Sequence, residues 1–237
     1  MKLEVFADAD SVAKEAAALV AAEARAAVAE RGVFIVAVSG GRTPWIMLGG
    51  LVHEDIPWQS IQLVQTDERI APAGSPDRNL THLYESLLSN VAPLRPEQIH
   101  AMPVEALDLR AAAEQYAATL NQIAGSPAVL DLVHLGLGPD GHTASLIPGD
   151  PVLEVTDRDV AVTGVYQSRR RMTLTYPIIN RARRVLWLVT GSDKSEMVHR
   201  LYDGDKAIPA GRVQQDRALI LADRAAAPEM LGGFKKE

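Results

Sequence analysis

Leu135-Gly136-Leu137-Gly138-Pro139-Asp140-Gly141-His142 comes directly after a run of mainly apolar residues at 129–134. That run predicts a buried strand, because a short apolar segment bounded by turn residues is typical of a strand covered on both faces. Three glycines and a proline leave little side-chain bulk in the turn that follows. Asp140 and His142 therefore project from nearly bare backbone at a strand end, where α/β proteins carry their reactive groups.

The rest of the chain alternates between strand and helix. Further strands are predicted at about 3–6, 33–38, 61–65, 159–165, 172–175, 185–189 and 219–221. Helices are predicted at about 10–31, 45–51, 80–90 and 108–123, and from 194 to about 202, with 93–103 as a connector. This order predicts an α/β fold: a doubly wound, mainly parallel sheet flanked by helices, in a Rossmann-like three-layer α/β/α arrangement. For 237 residues, we expect one domain covering 1–237.

Several helix boundaries are predicted from capping residues. Asp10 or Ser11 is the expected N-cap of the first helix, and Gly32 is expected to end it. Thr43 followed by Pro44 is a typical N-cap and first helical residue. Asn79 is the expected N-cap of the helix at 80–90.

Composition excludes several classes of protein. The chain contains no cysteine, which excludes thiol nucleophiles, disulfides and cysteine metal sites and agrees with a reducing compartment. No apolar run approaches the ~20 residues of a membrane span, and the first residues do not resemble a signal peptide. The net charge is −6 without a long basic stripe, so neither nucleic acid nor a membrane is an expected partner. We expect a cytoplasmic protein.

Polar and charged residues follow other predicted strands as well. The segment 39–43 joins the strand at 33–38 to a helix, where free N–H groups and the helix dipole favour an anion. Asp67, Glu68 and Arg69 follow the strand at 61–65, and Lys194 follows the strand at 185–189. Because the carboxyl ends of parallel strands share one edge of the sheet, these groups are expected to form one site with Asp140 and His142. At least one of the arginines at 169–171 is expected to face that cleft, since side chains alternate along a strand.

The glycines at 136, 138 and 141 also match the dinucleotide-binding pattern G-x-G-x-x-G. That interpretation needs a helix that opens at the third glycine and holds a diphosphate. Pro139 lacks an N–H donor, and Asp140 places negative charge where the phosphate would lie. The pattern therefore favours nucleotide binding only weakly.

Conventional nucleophiles are missing, since the chain contains neither G-x-S-x-G nor H-E-x-x-H. A metal held by Asp67, Asp140 and His142 is an alternative, which the nearby arginines oppose. The remaining chemistry is proton transfer by His142, because histidine titrates near neutral pH. One base contributes about 10²–10⁴-fold and one oxyanion donor about 3 kcal/mol, which suits a reactive substrate such as a lactone.

Six blocks of the sequence resemble the signature blocks of the 6-phosphogluconolactonase family and occur in that family's order. They lie at 39–44, 66–69, 136–148, 171–175, 190–194 and 209–213, so the similarity extends from about 36 to 223. The Asp-Gly-His block with Thr-Ala-Ser-Leu after it is highly specific. The Ser-Gly-Gly block alone is shared with related phosphosugar enzymes.

The resemblance implies hydrolysis of 6-phospho-D-glucono-1,5-lactone to 6-phosphogluconate without metal or cofactor, with this phosphosugar lactone as the small-molecule partner. It implies that His142 deprotonates the attacking water and then protonates the departing ring oxygen. Asp140 is implied to orient His142 or the substrate, and Arg69 to face the oxyanion or the product carboxylate. Asp67 is implied to bind sugar hydroxyls, and the 6-phosphate to lie against the loop of Ser39, Gly40, Gly41, Arg42 and Thr43. Arg42, Arg171 and Lys194 are its candidate cations, and the resemblance leaves open which cation contacts the phosphate and which the lactone end. Arg42 stands where that family commonly has serine.

Two alternatives belong to the same superfamily. A hexosamine-6-phosphate deaminase or isomerase continues from Asp-Gly-His into a segment with a further glutamate, whereas residues 143–148 here contain no acid and the next is Asp150. A non-catalytic phosphosugar sensor would retain the phosphate loop and lose the base, yet Asp140 and His142 are both present.

Overall fold

A seven-stranded sheet forms the centre of the computed structural model, which describes residues 1–91 and 94–228. In spatial order its strands are β1 (Lys2–Phe6), β10 (Ala218–Asp223), β9 (Arg184–Val189), β6 (Leu132–Leu135), β2 (Phe34–Val38), β3 (Ile61–Gln65) and β5 (Ile99–His100). Each pair of neighbours is parallel. The expected parallel sheet with flanking helices is confirmed. The predicted connector at 93–103 contains β5, and Pro93 lies outside the described residues.

Six helices flank this sheet within the described ranges. They are α1 (Ala9–Arg31), α2 (Arg42–Leu51), α3 (Asn79–Ser86), α4 (Leu109–Ala124), α5 (Tyr176–Arg181) and α6 (Ser195–Tyr202). The residues of β2 alternate between two apolar cores: Ile35 packs with α4 residues such as Leu120, whereas Phe34 packs with α1 residues such as Val20. This alternation explains why β2 is apolar at every position. None of these helices is long and apolar enough to cross a lipid bilayer.

A second, smaller sheet lies beyond the end of β3 and was not expected. It pairs β4 (Asp67–Arg69) with β8 (Arg171–Leu174) and β8 with β7 (Val160–Val162), all antiparallel. Thr66 links the two sheets, because its N–H donates to the Val38 carbonyl (3.0 Å) and its own carbonyl accepts from Leu174 N–H (2.8 Å). The polar segment that follows β3 is therefore an edge strand.

Two of the predicted N-caps are wrong because tertiary contacts use those side chains elsewhere. Helix α2 begins at Arg42 after Gly41, and the Thr43 hydroxyl lies 2.6 Å from the Thr190 hydroxyl instead of capping the helix. Asn79 is the first residue of α3, where the Glu68 carboxylate accepts the backbone N–H of Asn79 at 2.8 Å. This helix also ends at Ser86, earlier than predicted.

The first helix is also capped differently at its start. Its N-cap is Asp8, whose carboxylate accepts Ser11 N–H at 2.8 Å, so the prediction of Asp10 or Ser11 is wrong. Gly32 ends the helix with φ 78°, as expected. The residue adopts a left-handed conformation that glycine tolerates without steric cost.

His134 is a buried histidine in β6 whose side chain is hydrogen-bonded to the residue that follows β2. Its Nδ1 accepts the backbone N–H of Ser39 at 3.2 Å, and its side chain is fully buried. Burial disfavours the charged imidazolium and lowers the pKa of His134 from its usual 6.5 to about 3. The ring is therefore neutral in the folded protein at all ordinary pH values.

This neutral histidine predicts a specific loss of stability in acid. Below about pH 6.5 the unfolded chain binds a proton at His134 that the folded chain does not bind until about pH 3. Urea unfolding of His134→Asn, which retains an acceptor for Ser39, should show less acid destabilisation than wild type. The difference in unfolding free energy should change by about 1 kcal/mol per pH unit between pH 6 and 5. His53→Asn, at an exposed position, is the control. Parallel pH curves for wild type and His134→Asn would contradict the assignment.

Candidate active site

The carboxyl ends of β2, β3, β6 and β9 open onto a cleft of about 460 Å³. Every site residue predicted from the sequence lines it except Asp140: Ser39, Gly40, Gly41, Arg42, Thr43, Asp67, Arg69, His142, Arg171 and Lys194. Asp140 does not line the cleft itself, but it is hydrogen-bonded to His142, which does. The parallel sheet thus brings segments more than 150 residues apart into one site, although their individual roles stay predictions.

Asp140 and His142 form a hydrogen-bonded pair at the glycine-rich turn after β6. His142 Nδ1 lies 2.6 Å from Asp140 Oδ1, which also accepts the His142 backbone N–H at 3.2 Å. A methyl group on Gly138 would lie 2.1 Å from Nδ1, so only glycine leaves room for this arrangement. With Nδ1 engaged by the carboxylate, Nε2 is the ring nitrogen left for a substrate or water.

The same turn does not provide a dinucleotide site. Residues 143–146 after the third glycine form a tight bridge between Thr143 and Leu146 instead of opening a helix. The helix N-terminus that a diphosphate needs is therefore missing at Gly141.

Tyr166 was not predicted from the sequence and is a third member of this hydrogen-bonded group. Its hydroxyl donates to Asp140 Oδ2 at 3.0 Å. Partial burial alone would raise the pKa of Asp140, but the charge and hydrogen bonds of His142, together with the Tyr166 hydroxyl, lower it. The carboxylate is thus ionised throughout the neutral range. The sequence contains only a weak signal for this residue, a lone aromatic side chain in the segment before the arginines at 169–171.

Asn79, expected only as a helix cap, joins a carboxylate and a guanidinium at the edge of the cleft. Its Nδ2 donates to the Asp67 carbonyl at 3.0 Å, and its Oδ1 accepts from Arg69. Asp67 is buried, and its carboxylate also accepts the Ser145 hydroxyl at 2.6 Å. These contacts hold Asp67 and Arg69 in place, and because the Asn79 amide is neutral, the arginine retains its positive charge.

The glycine-rich loop after β2 has a close neighbour in Asn79. A methyl group on Gly40 would lie 2.0 Å from Asn79 Oδ1, which explains glycine at this position. The Ser39 hydroxyl lies 2.6 Å from the Thr66 hydroxyl and donates to the His134 carbonyl, so it is turned towards the sheet. The loop therefore offers the cleft mainly its backbone.

Four cations line the cleft. Arg42 is exposed and makes no ion pair with the described residues, whereas Lys194 pairs with Asp193 at 3.0 Å. Arg69 and Arg171 are direct partners across β4 and β8. Burial lowers the pKa of Arg171, and the charge of Arg69 adds to this effect, yet a guanidinium stays charged at neutral pH. An anion would relieve the repulsion between these neighbouring cations.

Arg171 is the member of the arginine triplet that lines this cleft. Arg169 lies nearby but forms an ion pair with Asp77, and Arg170 is exposed. Arg171 is the first residue of β8, opposite Arg69 of β4, whereas Arg169 and Arg170 precede the strand, which explains their different environments.

The metal alternative finds no support in the positions of the expected ligands. Within residues 1–91 and 94–228, no group of three or more His, Cys, Asp or Glu side chains is arranged to hold a metal ion. The Asp67 carboxylate is hydrogen-bonded to Ser145 and Asn79, whereas the Asp140 carboxylate is hydrogen-bonded to His142 and Tyr166. The two carboxylates therefore belong to separate hydrogen-bonded groups.

Fold and site together define the class: an α/β enzyme with an Asp–His pair in a cationic cleft at the carboxyl edge of a parallel sheet. The family model described as glucosamine-6-phosphate isomerases/6-phosphogluconolactonase matches residues 7–221. The chain belongs to this family.

Relatives with a 6-phosphogluconolactonase name align along most of their length. The protein from Synechocystis is 38% identical over 201 residues, covering 82% of this chain and 83% of the relative. The protein from Streptomyces coelicolor is 36% identical over 249 residues, with coverages of 97% and 94%.

Solved structures agree on the fold. The crystal structure of a devB protein has a TM-score of 0.86 at 26% identity, covering 97% of this chain and 99% of that chain. A monomeric glucosamine-6-phosphate deaminase has a TM-score of 0.82 at 19% identity, with coverages of 95% and 98%. The fold alone therefore does not separate the two activities of the family.

Gly138→Ala tests whether the turn is shaped for His142. The new methyl group would displace the imidazole from Asp140. If His142 is the base that the family resemblance predicts, kcat for the lactone should fall by about 10²-fold, the contribution of one positioned base. The melting temperature should change by only a few degrees, since the clash is with movable side-chain ends. Gly49→Ala, outside the cleft and with only an ordinary 3.7 Å contact for its methyl group, is the matched control. Equal kcat in the two variants would contradict this account.

Proposed function

We propose that this chain is a 6-phosphogluconolactonase that hydrolyses 6-phospho-D-glucono-1,5-lactone to 6-phosphogluconate, the second step of the oxidative pentose phosphate pathway. Family membership and the activity named for its relatives support the reaction. The observation that carries the mechanism is the 2.6 Å contact between Asp140 and the Nδ1 of His142, in a cleft with four cations.

His142 acts as the general base. Its Nδ1–H is donated to Asp140, so the lone pair of Nε2 accepts a proton from water as the water oxygen attacks the lactone carbonyl carbon. The carbonyl π electrons move onto oxygen and give a tetrahedral oxyanion. When the carbonyl re-forms, the bond to the ring oxygen breaks, and His142 returns the proton to that oxygen. The acid product then ionises to 6-phosphogluconate.

Arg69 and Arg171 supply the positive charge near the reacting carbonyl. They are adjacent across β4 and β8 and are partly or fully buried, so their field is less screened than at the surface. A preorganised cation that faces a developing oxyanion contributes about 3 kcal/mol. Asp67, fixed by Ser145 and Asn79, is placed to accept hydrogen bonds from sugar hydroxyls.

The phosphate lies against the loop from Ser39 to Thr43 at the N-terminus of α2. The helix dipole favours an anion there, and positive charge is added by Lys194 and by Arg42, which has no ion-pair partner within residues 1–91 and 94–228. The lactone is the proposed partner, with neither nucleic acid nor membrane involved, and the chain is proposed to act as one cytoplasmic domain without metal or cofactor.

His142→Ala provides the first test. We expect kcat for the lactone to fall by about 10²–10⁴-fold while KM changes little, because the ring contributes proton transfer more than binding. Wild-type activity should be unchanged by EDTA. Unchanged turnover in His142→Ala would remove this residue from the mechanism, and turnover of glucosamine 6-phosphate in place of the lactone would favour the deaminase alternative.

Arg42→Ala and Lys194→Ala test the phosphate end. Each variant should raise KM by about tenfold and lower kcat less, if the lost cation binds the phosphate equally in the ground and transition states. Steady-state kinetics with the lactone give both constants, and Lys206→Ala, at an exposed position, is the control. A selective fall in kcat would move the altered residue to the lactone end.

A further inference from the structure

Tyr166 occupies the oxygen of Asp140 that His142 does not use. Its hydroxyl donates to Oδ2 at 3.0 Å, while Oδ1 lies 2.6 Å from His142 Nδ1. The rings of Tyr166 and His142 also meet edge to face, with centroids 5.5 Å apart at 66°. Both rotation of the carboxylate and tilting of the imidazole are thus opposed by one tyrosine.

The backbone around Tyr166 is well suited to hold it there. Tyr166 and Arg169 exchange two backbone hydrogen bonds, of 2.9 and 3.2 Å, across the tip of the β7–β8 hairpin. Between them, Gln167 and Ser168 have φ values of 48° and 66°, as a two-residue type I′ turn requires. The ion pair of Arg169 with Asp77 ties this tip to the loop before α3.

A cation also packs against the ring of Tyr166. The Arg171 guanidinium carbon lies 5.1 Å from the centroid of Tyr166, within range of a cation–π interaction. Partial burial, and then the hydrogen bond and charge of Asp140, raise the pKa of Tyr166. The phenol therefore remains a donor throughout the neutral range.

We propose that Tyr166 is a positioning residue that locks Asp140 so that it holds the Nδ1–H of His142. The inference rests on the proposed function, in which Nε2 of His142 is the base. Tyr166 transfers no proton itself. Its hydroxyl selects the carboxylate orientation, and through it the tautomer of His142 that can accept a proton from water.

Tyr166→Phe is the direct test, because it retains the ring and removes only the hydroxyl. Its kcat for the lactone should fall about three- to tenfold, the net effect of one typical hydrogen bond, with KM within about twofold of wild type. Tyr202→Phe, on an exposed residue of α6, is the matched control and should keep wild-type kinetics. An unchanged kcat in Tyr166→Phe would overturn the proposal.

A double-mutant cycle with Asp140→Asn separates positioning from general support of the fold. If Tyr166 acts through Asp140, adding Tyr166→Phe to Asp140→Asn should change kcat by less than about twofold. The same fall as in the wild-type background would overturn the proposal.

¹⁵N NMR of the His142 ring supplies a second readout. Tyr166→Phe should lower the share of the Nδ1–H tautomer, whereas the control should not, and an unchanged tautomer would overturn the proposal. Failure of the proposed function is recognised separately: His142→Ala would then retain turnover, whatever Tyr166→Phe does.

Discussion

The geometry of the cleft depends on the hydrogen bonds and the ion pair of one buried carboxylate, that of Glu68. A charge in the interior is costly unless it is fully paired, and Glu68 is completely buried. Arg78 lies 3.4 Å away as its ionic partner. Three backbone N–H groups and one side-chain amide complete its shell: those of Arg69, Asn79, Leu80 and Gln65. Glu68 thereby fixes β4 against the start of α3, which places Asn79 between the Asp67 carboxylate and the Arg69 guanidinium.

The cleft is built where two sheets of different character meet. The parallel sheet carries the glycine-rich loop and the turn with the Asp140–His142 pair, while the small antiparallel sheet carries Arg69 and Arg171. The net charge of the chain is −6, yet four cations line the cleft. This local concentration of positive charge favours an anionic phosphosugar against the overall field. The Tyr166 hairpin connects the two parts, because the tyrosine contacts residues of both.

Some features were predictable from local sequence because nothing in the tertiary structure opposes them. Strand β2 was placed within one residue, since a segment buried on both faces must be apolar at every position. The helix starts were less predictable. Thr43 has the typical side chain for an N-cap but bonds to Thr190, and Asn79 gives its side chain to Asp67 and Arg69. Tyr166 left almost no signal, because the phenol acquires its partner only when the hairpin folds over the turn after β6.

The sequence by itself determined the alternation of strands and helices, the glycine-rich loop after β2 and the unusual Asp-Gly-His turn, and these were sufficient to predict fold class and family resemblance. Apolar periodicity and glycine requirements are local properties, so they can be recognised in one segment at a time. Only the tertiary structure decided that β4 pairs with β8 in a second sheet, that Arg69 lies beside Arg171, and that the Tyr166 hydroxyl donates to Asp140. Those contacts join residues far apart in the chain, and their energies depend on burial and distance that no single segment contains.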